Sequence, residues 1–125
     1  MLIKDLKKCE TFKALDETIL CELLNPKNEA EDLKMGFSLA HAMLEPGKSS
    51  IPHRIRDSVE VYFILEGKGL MHIDQDYNVL KEGQAVYIPP GSVQYIENIG
   101  NSKLKFLCIV SPPWKLEKEE IVKGS

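Results

Sequence analysis

Positive charge, cysteine and long apolar runs are all scarce in this chain of 125 residues, and each shortage removes a class of function. Sixteen Lys and Arg stand against nineteen Asp and Glu, a formal net charge of -3. A nucleic-acid binder needs a basic face, and residues 1–30 contain no basic recognition helix either. No apolar stretch approaches the roughly 20 residues that span a bilayer. The opening Met1-Leu2-Ile3-Lys4-Asp5 has neither the apolar core nor the small-residue cleavage site of a secretory signal. Cys9, Cys21 and Cys108 are odd in number and scattered, so no disulfide framework is expected. Without a Cys-x-x-Cys pair there is no zinc or redox motif. The expectation is a cytoplasmic protein with no nucleic-acid or membrane partner.

What is present is an ordinary globular composition, 43% hydrophobic and 28% charged, in a length that suits one domain with a real core. No repeat, linker or low-complexity tract interrupts it. Residues 2–24 are ambiguous: Leu2, Ile3, Leu6 and Cys9, then Leu15, Ile19 and Leu23, fit helical spacing in places, but polar breaks favour short strands or an irregular arm equally. Asn25-Pro26-Lys27-Asn28 reads as a turn. Beyond it, strands are expected over 37–44, 59–65, 70–73, 85–88, 94–97 and 104–110. Turn signals such as Pro46-Gly47, Glu66-Gly67-Lys68-Gly69, Asp74-Gln75-Asp76 and Pro89-Pro90-Gly91 separate them. Short strands punctuated about every 8–12 residues argue for an all-β sandwich or barrel. No helix long enough for a parallel crossover lies between Leu44 and Pro112. Residues 114–122 fit a short helix or an extended arm, and Lys123-Gly124-Ser125 a loose tail.

Two spaced patterns dominate residues 47–98. The first is Gly47, five residues, His53, six residues, Glu60, six residues, Gly67. The second is Gly83, five residues, Pro89, Pro90, Gly91, then Gln94 and Asn98. Together they resemble the double signature of the cupin family, over residues 37–113. The resemblance to small single-domain conserved-barrel cupins implies a double-stranded β-helix of two facing antiparallel sheets, with residues 1–36 as an arm packing on the barrel and 114–125 as a short tail. It also implies a metal site inside the barrel, but here Ile55 and Gln94 stand where the family pattern has two of its histidines.

Period-two alternation puts Glu60, Tyr62 and Ile64 on one face of their strand and Val61, Phe63 and Leu65 on the other. Both faces are apolar, which points to a covering sheet or a second copy of the chain, and small cupins are commonly homodimers. Family placement brings His53, Glu60 and Gln94 to one point in the barrel, with Tyr62 and Cys108 on the wall beside them and Ala40 and Ala42 opposite. His41 and His72 then face outward.

An imidazole and a carboxylate are good ligands for Fe, Mn, Ni or Zn, whereas the Gln94 amide is a weak, neutral donor. A divalent metal at His53, Glu60 and Gln94, a mutually hydrogen-bonded buried cluster, and a pocket remade for an organic ligand therefore stand side by side. Arg54 could hold an anionic group of a ligand or pair with a surface carboxylate. The resemblance implies a small protein that binds a divalent metal, a small polar metabolite or both, as an oxygenase or isomerase; the alternative is a metal-free binding cupin without catalysis.

Overall fold

A computed structural model describes residues 1–123; Gly124 and Ser125, part of the expected tail, lie outside the described residues. Among the described residues, eleven strands form two antiparallel sheets. In chain order they are β1 (Phe12–Lys13), β2 (Ile19–Leu24), β3 (Ser38–Leu44), β4 (His53–Ile55), β5 (Val59–Glu66), β6 (Lys68–Ile73), β7 (Asp76–Lys81), β8 (Ala85–Ile88), β9 (Gln94–Asn98), β10 (Leu104–Ser111) and β11 (Glu119–Ile121). One sheet runs β1-β2-β3-β10-β5-β8, and the other β11-β4-β9-β6-β7. This is the all-β double-stranded barrel expected from the sequence.

Alternation sorts the side chains. Along β10, Leu104, Phe106, Cys108 and Val110 point inward; along β3, Ser38, Ala40, Ala42 and Leu44 do so. Their register pairs Leu104 with Leu44 and Cys108 with Ala40. One end of the barrel is therefore filled by large apolar groups, Leu44, Ile64, Met71, Ile96, Leu104 and Phe106. The other end has small walls, Ala40, Ala42 and Cys108, and stays hollow. Close packing at the filled end reaches the backbone: a Cβ on Gly69 would come within 2.8 Å of Ile96 Cδ1.

Turn chemistry closes the frame. Asn98 is buried, donates to the Leu44 and Ser102 carbonyls at 3.0 and 2.9 Å, and accepts from the Gly100 N–H at 2.9 Å. Gly91 has φ +76 and donates to the Ile55 carbonyl, which ties the Pro-Pro-Gly corner to β4.

Two features, β7 and a disulfide, differ from the sequence expectation. β7 is not among the strands expected from the sequence; its residues are mostly exposed (Tyr77 and Val79 among them), so no buried alternation marks it. The segments before Phe37 and after Pro113, where the sequence left strand, helix and arm open, contribute β1, β2 and β11 to the two sheets. Cys9 and Cys21 form a disulfide, Cα–Cα 6.0 Å, against the expectation that the cysteines stay unpaired. In β2 the inward positions are Leu20 and Glu22, so Cys21 points to the outer face, and the arm lays Cys9 across it. The pairing depends on where the arm crosses β2, which spacing alone does not encode.

Candidate functional site

The hollow end of the barrel is a cavity of about 630 Å³. Its walls come from β1–β3, β4, β5, β10 and the segment around β11. Apolar groups such as Leu20, Ala40, Ile55, Phe106 and Trp114 make up most of the surface, and Asp16, His53, Glu60 and Glu119 gather polar groups at it.

β4 pairs with β9 so that His53 lies opposite Gln94. Gln94 Nε2 donates to Glu60 Oε1 at 2.9 Å, and the Tyr62 hydroxyl donates to Gln94 Oε1 at 2.9 Å. Three buried polar side chains thus satisfy one another, and no buried side-chain nitrogen or oxygen among the described residues is left without a partner. Gln94 stands behind the wall, holding Glu60 and Tyr62, which do face the cavity. His53 Nδ1 donates to the Ile51 carbonyl at 2.7 Å, which fixes the ring and turns Nε2 toward Asp16 Oδ2, 3.4 Å away. Asp16 is itself held by the Thr18 hydroxyl and N–H, at 2.7 and 3.1 Å.

Burial sets the electrostatics. Glu60 is pushed up to about 8, chiefly by burial; the Gln94 amide pulls it down, and Asp16 and Glu119 push it further up. Glu119 is raised by burial, against the His53 charge and the Trp114 indole N–H that favour its anion. Burial, then the Glu60 carboxyl, drives the Tyr62 hydroxyl and Cys108 thiol well above their usual values. Around neutral pH burial therefore favours the protonated form of Glu60, which accepts from Gln94 and has a proton to offer a guest.

This donor set does not suit a tightly held transition metal. Such sites need three or four free donors converging on one point. Here one Glu60 oxygen takes the Gln94 amide, both ends of that amide are engaged, and His53 Nε2 is aimed at Asp16. Ile55 lines the cavity with a hydrocarbon where the family pattern has an imidazole. Among the described residues no three His, Cys, Asp or Glu side chains form a metal-binding group.

The remaining sequence-derived candidates fall as follows. Tyr62 and Cys108 line the cavity. Arg54 does not; it is half exposed and reaches Glu120 at 3.3 Å. His41 faces outward, and His72 stacks on Tyr95 with ring centroids 4.0 Å apart and meets Glu97 at 2.7 Å. Asp16, Trp114 and Glu119 were missed by the sequence reading. Asp16-x-Thr18 does carry a local signal, since an Asp accepting from the residue two ahead marks a turn. Glu119 sits in a run of Lys and Glu where nothing separates it from its neighbours.

Comparison with known proteins agrees with this architecture. A family model for the cupin domain matches residues 40–110. The uncharacterized protein MJ1618 of Methanocaldococcus jannaschii is 41% identical over 115 residues, covering 92% of this chain and 90% of that one. An oxalate-binding protein of Thermotoga maritima is 34% identical over 71 residues, 57% of this chain and 59% of the relative. Among solved structures, a predicted oxalate decarboxylase from Thermotoga maritima superposes with a TM-score of 0.74 at 24% identity, covering 89% of this chain and 99% of its own. The nucleoside dehydratase Pac13, from Streptomyces, reaches a TM-score of 0.76 at 13% identity, covering 98% and 92%. At these identities the structural likenesses establish the fold.

Proposed function

The chain belongs to the cupin family, and from that premise we propose that its barrel is a metal-independent binding pocket for a small, largely apolar molecule carrying hydrogen-bonding groups. The observation that carries this reading is the cavity of about 630 Å³, a size suited to small ligands, with the protonated Glu60 carboxyl held in its wall by Gln94. The His53–Asp16 pair and Glu60 supply a base and an acid within one apolar cup, which is the equipment for gripping a ligand or moving a proton on it. Tyr62 and Cys108 shape the wall. Arg54 is reserved for the outer rim.

Likeness to an oxalate-binding protein makes a dicarboxylate the natural comparison. Asp16 and Glu119 flank the polar end, so a dianion there would meet two acidic side chains. A neutral or cationic guest suits that end better. The test is calorimetric titration of chelator-treated protein with Mn²⁺, Ni²⁺, Zn²⁺, oxalate and phenol, combined with NMR of the aromatic resonances. The metals and oxalate should bind no tighter than about 100 μM, roughly 5 kcal/mol, while phenol shifts Tyr62 and Phe106 with the chelator still present. Stoichiometric micromolar metal binding would overturn the reading, as would phenol that leaves those rings unmoved. Ile55→His should raise Ni²⁺ or Zn²⁺ affinity by at least about tenfold, checked in the same calorimeter.

We also propose that the chain forms a homodimer through the outer face of the six-stranded sheet. Phe63 and Leu65 on β5 and Tyr87 on β8 are exposed there at 36%, 42% and 59%, beside the half-buried Val61 and Ile109. Adjacent strands place these side chains in one patch, and such a patch is a candidate interface. Sedimentation velocity should give a dimer at micromolar concentration, and Phe63→Glu should shift the chain to monomer. A monomeric wild type would remove the proposal.

A further inference from the structure

We propose that the Cys9–Cys21 disulfide is a redox-operated latch on the mouth of the cavity. The inference rests on the reading of that cavity as the ligand site and concerns how access to it is controlled. Between the two cysteines lies the segment that covers the mouth: Phe12, Ala14, Leu15 and Asp16 all line the cavity. Its one strand, β1, is two residues long, exposed, and at the edge of its sheet. A short edge strand with little burial belongs to the least stable part of a fold.

The flap is fastened at two places. At its far end the Asp16 carbonyl accepts from the Ile51 N–H at 2.8 Å, the Asp16 carboxylate faces His53, and the Ala14 N–H donates to the Thr18 carbonyl at 2.8 Å. At its near end, β1 pairs with β2 through Phe12↔Leu20 and Lys13↔Ile19, and immediately upstream Cys9 is bonded to Cys21. Residues 1–8 before it are exposed. Their ion pair, Lys4 with Glu29 at 2.6 Å, joins a part-exposed lysine to a largely buried glutamate and holds the arm upstream of the disulfide. The disulfide is thus the near anchor, and it joins the flap to a buried position on β2.

Reduction by a dithiol balances as thiol–disulfide exchange. A thiolate of the reductant attacks Sγ of Cys9, the more exposed of the two sulfurs. The Cys9–Cys21 bond breaks, and Cys21 leaves as a thiolate that takes a proton. The second thiol of the reductant then displaces Cys9, which also takes a proton. Two electrons pass from the reductant, which becomes a cyclic disulfide, to the protein, which becomes a dithiol. The flap then keeps only its two-residue ladder at the near end and swings on the Asp16 anchor.

Cys108 reports on the mouth. It is a free cysteine, buried, and in the cavity wall. In the oxidised wild type it is the one free thiol, and in a Cys9→Ser, Cys21→Ser double variant it is the one thiol of any kind. N-ethylmaleimide at pH 8.5 should label it at least about tenfold faster in the double variant, as expected when a local opening is released. Equal rates would overturn the latch. Because the double variant could lose structure elsewhere, amide hydrogen exchange is followed in parallel on the wild-type sequence with and without dithiothreitol. Residues 11–17 should exchange faster in the reductant while β10 stays unchanged. Unchanged exchange at 11–17, or equal acceleration in β10, would overturn the latch too. Neither readout uses a ligand, so a latch that responds on a cavity that refuses phenol would refute the binding reading alone.

Discussion

Glu60→Gln is expected to raise the melting temperature by about 10 °C at pH 9 and to leave it nearly unchanged at pH 5. An unfolded Glu titrates near 4.5, whereas burial holds the folded Glu60 at about 8. Between these values the folded state carries a proton that the unfolded state has released. The stability tied to this carboxyl is therefore complete below pH 4.5 and declines as pH rises to 8, by an amount on the order of 3–5 kcal/mol. Gln keeps the shape of the protonated carboxyl, still accepts from Gln94 Nε2, and cannot ionise. Thermal melts of wild type and variant from pH 5 to pH 9 should show curves that meet at low pH and diverge upward. Parallel curves would mean that Glu60 titrates normally and that the polar end is wetter than its burial implies. Glu119, raised in the same direction, leaves a smaller downward slope in the variant.

Gly67→Ala should cost about 2–4 kcal/mol, combining left-handed backbone strain with overpacking. Gly67 has φ +90, and a Cβ there would sit 2.8 Å from the Lys103 carbonyl oxygen and 3.1 Å from Leu104 Cα. Both neighbours are backbone, so no rotamer change relieves the contact. Gly47→Ala is the control. It shares a positive φ, +78, but its Cβ would meet open space, so only the conformational penalty of about 1 kcal/mol remains. Urea denaturation of the two variants separates the terms; equal losses would show that the approach of Gly67 to β10 is not tight.

Much of the barrel was legible because its physics is local. Glycines and prolines at turn positions bracket β5, β6 and β8–β10, and alternation combined with family placement put Glu60 and Tyr62, Cys108, and Ala40 and Ala42 inward. The cluster of His53, Glu60 and Gln94 followed from the same periodicity combined with the family spacing. What was not legible depends on contacts between segments far apart in sequence. Asp16 reaches His53 from a turn before β2, and Glu119 comes from a strand that exists because it pairs with β4. Neither residue is distinguished from other acidic residues until the sheets form. The role of Gln94 changed for the same reason: spacing puts it at the site, but only the network shows both ends of its amide in use behind the wall.

His53 receives one acidic neighbour from each flank of the barrel, Asp16 from the segment before β2 and Glu119 from β11. Residues 40–110, which the cupin model matches, supply the imidazole, while the flanking segments set the charge around it. Substitution at two flanking positions, one in the turn before β2 and one in β11, would therefore change the charge at the imidazole without touching residues 40–110. Residues 40–110 alone would keep His53 and Glu60 but lose both acidic neighbours and the stretches of cavity wall that β1, β2 and β11 supply.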